Sequence, residues 1–295
     1  MSIIIDTLKE RLKNNKIEKR GQLIHELREI SQEIIIEALS ETDFFERASF
    51  HGGTSLRLVH RIGRYSEDLD FALNKYNYNF LWRPYLEKIQ EHAEQYGLSM
   101  EISDKSRNTG AVKKAYIKDS SLEKLLDVTK TRSSTPEKTI IKLEIDAIPP
   151  LYAENEVKTL DFPKKHSINI QNLPSLFAGK CHALLCREYE KGRDWFDLKW
   201  FVDNKIEPNY KYLSSMINQQ GHWGNQNINV DKTWLCDNLA NKAERLNYDT
   251  INNDIKRFSK AGIAFNKCSA LNIINAIKSP DYCQPQQSQS KSRSI

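Results

Sequence analysis

The chain of 295 residues has no apolar run of about 18 residues, which excludes an ordinary transmembrane helix. Its first residues, MSIIIDTLKERLKNN, interrupt an apolar triplet with charges at once. They lack the basic start and longer apolar stretch of a secretory signal, so a cytoplasmic protein is expected. Cysteine is sparse: Cys181, Cys186, Cys236, Cys268 and Cys283 form no CxxC pair and no Cys/His cluster at zinc-finger spacing. An odd, scattered set of this kind suits reduced thiols in a cytosol. There is no GxxxxGK[ST] loop, no GxSxG and no HExxH, which removes the Walker nucleotide site and the commonest hydrolase and zinc-protease readings. No internal repeat is visible. The formal charge of +5 permits a polyanionic partner without demanding one.

What is present is a globular composition, 39% hydrophobic and 28% charged. Residues 17–40 carry Ile17, Leu23, Leu27, Ile30, Ile34 and Leu39 at helical spacing, with charges on the other side. FERASFHGG reads as a short strand entering a glycine turn, and TSLRLVHRI as a helix starting just after the glycines. EDLDFAL alternates as a strand does. YNFLWRPYLEKIQEHAEQYG is a helix interrupted near its start by Pro84 and ended by Gly97. LSMEIS at 98–103 and AVKKAYIKD at 111–119 are strand candidates. TIIKLEIDAI at 139–148 is the clearest strand: Ile141, Leu143 and Ile145 point one way, Lys142, Glu144 and Asp146 the other. Pro149 and Pro150 stop it.

After about residue 170 the texture turns helical, through NLPSLFAGKCHALLCREYE and RDWFDLKWFVDN to roughly residue 278. The expected division is an α/β domain over 1–170, a helical domain over 171–280 and a disordered tail over 281–295, whose QPQQSQSKSRSI cannot build a core.

The most informative stretch is FHGGTSLRLVHRIGRYSEDLDF, residues 50–71. Asp68 and Asp70 lie two apart on a strand and so share a face. Two close carboxylates repel unless a positive group sits between them, and oxygen ligands of this kind suit Mg²⁺. A bare DxD on a solvated edge strand would carry nothing. Gly52 and Gly53, however, remove side chains at a strand-to-helix turn where backbone N–H groups favour an anion such as phosphate. Thr54 and Ser55 add hydroxyl donors, or serve as N-caps. Together these features describe a site that holds a nucleoside triphosphate by its phosphates and its Mg²⁺. A third carboxylate would complete a two-metal site, and Glu144 and Asp146 both qualify. Glu144, deeper in its strand, is preferred, though spacing alone does not separate them.

The pattern GGTS…R…SEDLDF resembles the signature of the nucleotidyltransferase superfamily to which DNA polymerase β belongs. More narrowly, it is similar to the AbiEii/AbiGii abortive-infection toxins of bacterial type IV toxin–antitoxin systems. The likeness is strong over residues 45–75 and moderate over 175–202. It implies an α+β fold: a polymerase-β-like nucleotidyltransferase domain with a mixed sheet flanked by helices, followed by a helical C-terminal domain that completes the cleft. It further implies that Gly53 and Ser55 touch the triphosphate, with Gly52 and Thr54 in the same turn, that Asp68 and Asp70 hold Mg²⁺, and that Ser66 lines the pocket. Lys180 in FAGKCHALL would neutralise phosphate charge, and Arg193, Asp194 and Asp197 form the family's Arg-Asp-x-x-Asp segment.

Each reading has a plainer rival. Lys180 is otherwise a solvent-facing lysine, although Arg187 falls on the same helical face. Asp194 is otherwise an N-cap. Arg57, Arg61 and Arg64 form either a solvated helix face or a basic run that steers nucleic acid. KSRNTGAVKKAYIK, 105–118, is either a phosphate-backbone contact or a polar hairpin. His51 reads as a turn or packing residue. The expected activity is transfer of a nucleotide from an NTP to an acceptor hydroxyl, with RNA, specifically a tRNA 3′ end, as the acceptor the resemblance implies. The alternatives are a small-molecule acceptor of the aminoglycoside kind, or a nucleotide-binding module without turnover. An antitoxin of this class is expected to act without stable binding.

Overall fold

Alternation along the central strands decides which side of the sheet is core and which side is free for chemistry. The structure, a computed structural model, describes residues 2–15, 17, 19–107, 110–126, 138–259, 264–279 and 282, without the side chains of residues 2–5. In chain order the first elements are α1 (Ser2–Asn14), α2 (Arg20–Ser40), α3 (Phe44–Arg47), β1 (Ala48–His51), α4 (Gly52–Leu58), β2 (Leu69–Leu73), α5 (Arg83–Gln95), β3 (Met100–Asp104) and β4 (Val112–Asp119). Then come α6 (Leu122–Leu125), β5 (Thr139–Asp146), β6 (Asn155–Leu160) and β7 (His166–Gln171). The remainder is helical: α7 (Leu173–Cys186), α8 (Gly192–Asp203), α9 (Tyr210–Gln219), α10 (Lys232–Glu244), α11 (Tyr248–Phe258) and α12 (Lys267–Lys278).

The strands form one seven-stranded sheet in the order β3-β4-β5-β2-β1-β7-β6. It is mixed: β2 with β5 and β1 with β7 run parallel, and the other neighbours run antiparallel. This is the α+β architecture with a helix-flanked mixed sheet that the sequence led us to expect. Leu69, Phe71, Leu143 and Ile145 are buried, and they share one core with Ile30 and Ile34 of α2 and Leu86 and Ile89 of α5. Asp70 of β2 and Lys142, Glu144 and Asp146 of β5 are only partly buried and point to the opposite face.

The chain divides into two compact units. One comprises Met1–Leu176 with Lys256–Gly262, the other Phe177–Ile255 with Ile263–Ile295. The first contains the sheet; in it the Tyr65 N–H donates to the Phe258 carbonyl at 2.9 Å. The second is helical, with Trp195, Phe201, Leu213, Leu235 and Leu239 buried and Phe177 stacked on Phe201 at 4.6 Å. Among the described residues no helix is long and apolar enough to cross a membrane.

The charged side of α2 differs from expectation. Glu26, Glu29, Glu33 and Glu37 are buried rather than solvated. Their carboxylates accept hydrogen bonds from Tyr65 at 2.5 Å, from Arg57 at 2.6 Å, from Arg11, and from Tyr96 at 2.5 Å, respectively. A helix covered on both sides cannot be recognised from one apolar stripe. Burial pushes the Glu33 carboxyl up to about 8 from its ordinary 4.5, against the pull of Arg11. The folded state then holds a proton that the unfolded chain has lost, so the wild type loses stability against Glu33→Gln as pH rises from about 4.5 to about 8. Urea unfolding at pH 5 and pH 8 checks this; parallel profiles would contradict it.

Three further details correct the sequence reading. The helix α4 starts at Gly52, not after the glycines. Pro84 lies in the first turn of α5 rather than interrupting it, as its missing N–H allows. The β6–β7 hairpin escaped notice because its alternation is weak, and its Val157 is 71% exposed. Residues 281–295, expected as a tail, lie outside the described residues apart from Tyr282, which is buried with its hydroxyl donating to the Ile206 carbonyl at 2.6 Å.

Candidate functional site

The register of four strands assembles the carboxylate face. Asp70 pairs with His51 of β1 on one side and with Glu144 of β5 on the other. Glu144 in turn faces Lys114 of β4. Residues paired across a sheet project to the same side, so Asp70, Glu144 and Lys114 share the face away from the α2–α5 core. Asp68 precedes β2 and is tied to them through Lys142, whose Nζ lies 3.4 Å from Asp68 Oδ2 and 2.8 Å from Glu144 Oε2. Lys114 Nζ contacts the other Glu144 oxygen at 3.0 Å.

The glycine bend adjoins this face. Gly52 has φ +79°, a conformation that glycine adopts freely, and a Cβ there would stand 2.5 Å from Asp70 Oδ2. A Cβ on Gly53 would meet Arg64 Nη2 at 2.8 Å and Ser66 Oγ at 2.9 Å. The two hydroxyls after the bend do not cap α4. Thr54 donates to the Asp68 carbonyl, and Ser55 donates to the Gly52 carbonyl at 2.9 Å. Thr54 thereby ties the bend to the DxD segment, while Ser55 closes the bend on itself. Gly52→Ala is expected to lose about 2 kcal/mol of stability, from the positive φ and the crowding of Asp70 together. Chemical denaturation measures it, and a neutral substitution would refute the close approach.

The electrostatics of the face follow from mixed charge at partial burial. Burial alone would raise the Glu144 carboxyl, but hydrogen bonds from Lys142 and Lys114 outweigh it and hold the group below its ordinary value. Burial alone would lower the Lys142 ammonium, yet Glu144, Asp68 and Asp70 hold it above its ordinary range. Asp146 behaves differently. Burial pushes its carboxyl up against the Ile148 N–H, which donates to Asp146 Oδ1 at 2.9 Å. It lies opposite Ala72, two pairs beyond Asp70. Geometry therefore puts Glu144, not Asp146, beside Asp70.

The second unit holds the remaining candidates. Lys180 on α7 reaches Asp194 Oδ1 at 3.0 Å and Asp197 Oδ2 at 2.8 Å on α8, and Arg187 also contacts Asp194. Lys180 is thus not a solvent-facing lysine, and Asp194 is not an N-cap, a position occupied by Lys191. The Arg193 N–H donates to Asp254 Oδ2 at 2.9 Å.

Several basic residues resolve differently from the sequence. Arg64 is buried, its Nη1 donating to the Tyr65 carbonyl at 2.9 Å, and Arg57 is bound to Glu29, so Arg57, Arg61 and Arg64 are not one solvated face. Within 105–118, of which 108–109 lie outside the described residues, Lys113 is buried with its ammonium 4.3 Å from the centre of the Tyr78 ring, and Lys114 serves Glu144. Sequence reasoning offered Arg64 and Lys114 only as parts of basic runs, and gave Lys142 no place in the site. Lys142 had a visible signal, since its alternation already put it on the face of Glu144.

Among the described residues, the tight grouping of metal-type ligand atoms is elsewhere: Glu37, Glu41 and His92 lie within 4.8 Å of one another. There, His92 Nε2 faces Glu37 at 3.3 Å and Nδ1 faces Glu41 at 3.4 Å, while Lys164 and Lys88 approach the same two carboxylates. One ring nitrogen with two carboxylates is a donor set for a transition metal rather than for Mg²⁺. Asp68, Asp70 and Glu144 are not drawn so close together, but they offer carboxylate oxygen alone, the donor set of a hard divalent cation.

A family model described as the nucleotidyl transferase AbiEii toxin of type IV toxin–antitoxin systems matches residues 34–270. Among solved structures, JHP933 from Helicobacter pylori is similar at 17% identity and TM-score 0.50, over 89% of this chain and 92% of that one. The nucleotidyltransferase toxin MenT4 from Mycobacterium tuberculosis H37Rv is similar at 15% identity and TM-score 0.52, over 88% of this chain and 86% of that one. No curated protein matches the sequence.

Proposed function

From the premise that the chain belongs to the AbiEii nucleotidyltransferase toxin family, we propose that it transfers a nucleoside monophosphate from an NTP to a hydroxyl of RNA, at a tRNA 3′ end. The observation that supports this most is the register placing Asp70 beside Glu144, with Asp68 and the Gly52–Gly53 bend adjoining. In this reading Asp68, Asp70 and Glu144 hold Mg²⁺, which supplies charge neutralisation at the entering and leaving oxygens. The bend at Gly52 and Gly53, with Thr54, Ser55 and Ser66, receives the triphosphate where no side chain intervenes. Lys180 and Arg193 bind phosphate oxygens, with Asp194 orienting Lys180.

The acceptor oxygen attacks the α-phosphorus as the bond to pyrophosphate breaks, and the hydroxyl proton passes to a carboxylate of the site. No covalent enzyme intermediate is needed, because positioning and charge neutralisation carry such reactions. Blocking the end of a tRNA stops translation, which accounts for toxicity in the cytoplasm. An antitoxin then acts without capping the site. Incubation with labelled NTPs, Mg²⁺ and total RNA tests the reading. Label on tRNA supports it. Label on a cationic small molecule instead would replace the acceptor, and tight NTP binding with no transfer would leave only a binding module.

A further inference from the structure

Lys142 is a charged group that the proposed chemistry does not use, although it lies among the groups that chemistry requires. Its Nζ is 3.4 Å from Asp68 Oδ2 and 2.8 Å from Glu144 Oε2, so a single ammonium spans two of the three carboxylates. It arrives there by strand geometry: two residues before Glu144 on β5, it shares that residue's face. Lys114 differs, since it contacts Glu144 alone and is the more exposed of the two. A cation entering between Asp68 and Glu144 competes with the Lys142 ammonium for the same oxygens.

We propose that Lys142 is a resident counter-cation, a positioning residue that keeps Asp68 and Glu144 assembled and that a divalent metal must displace. The inference rests on the metal-binding reading of these carboxylates and deepens it. Free metal binds weakly, because it must break two ion pairs for the oxygens it gains. Metal arriving with a triphosphate binds better, because the phosphates bring further ligands and give the displaced ammonium an anionic partner. Lys142 thereby couples occupation of the metal site to the presence of nucleotide.

The test is Mn²⁺ binding to the full chain without nucleotide, followed by calorimetry or by paramagnetic water-proton relaxation. Lys142→Met is expected to bind Mn²⁺ about tenfold tighter than wild type, the size of effect an adjacent charge exerts on a carboxylate. Lys142→Arg, which keeps the charge, restores the wild-type affinity, and Lys114→Met changes it less than Lys142→Met does. Adding a non-hydrolysable NTP tightens Mn²⁺ binding more in wild type than in Lys142→Met. Asp70→Asn serves as the reference and loses Mn²⁺ binding. Equal or weaker binding by Lys142→Met, with Asp70→Asn still defective, overturns the inference alone. Unchanged Mn²⁺ binding by Asp70→Asn overturns the metal-site reading and the inference with it.

Discussion

Asp70→Ala is expected to lower nucleotide transfer by at least about a thousandfold while leaving the fold intact. The residue sits in the centre of the sheet between His51 and Glu144, yet it points away from the core that Leu69 and Phe71 build. Its removal leaves the apolar packing untouched. A carboxylate kept for chemistry is selected for activity rather than stability, so its loss often costs the fold nothing. Lost transfer with unchanged or higher thermal stability is therefore the expected signature. Retained transfer would show that the DxD segment is scaffolding.

The second large effect is expected at Lys180. Asp197 is fully buried and Lys180 nearly so, and the ammonium serves both Asp197 and Asp194. Removing one partner of a buried ion pair leaves a charge in a poor dielectric, at about 3 kcal/mol or more. Lys180→Met should lose that much in urea unfolding, whereas a phosphate-binding lysine with no structural role would lose almost nothing. Wild-type stability in the variant would contradict the buried-pair account. The result matters for interpreting activity, since a poor transferase with this substitution is informative only under conditions where the variant remains folded.

Much of this was legible in the sequence because the informative features are local. Two glycines and a DxD need only a short stretch of chain, and alternation in TIIKLEIDAI fixed the face of Glu144 and Lys142 before any pairing was known. The choice between Glu144 and Asp146 was not local. It depends on β2 pairing with β5 so that Asp70 meets Glu144, a register set by strands far apart in the chain. The same limit hid Lys142's partners. The buried acids of α2 were misread because their partners come from α1, α4, Tyr65 and Tyr96, and a stripe of glutamates on a helix ordinarily faces water. Arg64 was grouped with Arg57 and Arg61 by spacing, although it is buried beside Gly53 and bridges to Ser259, a residue far along the chain.

The central claim is that the carboxylates of β2 and β5 grip a cation at the glycine bend. A crystal of the full chain soaked with a non-hydrolysable NTP and Mn²⁺, with the metal located by anomalous scattering, tests it most directly. The account predicts a peak bounded by Asp68, Asp70 and Glu144, with the triphosphate running past Gly52 and Gly53. A peak confined to Glu37, Glu41 and His92, or nucleotide bound with no metal at the DxD segment, would contradict it.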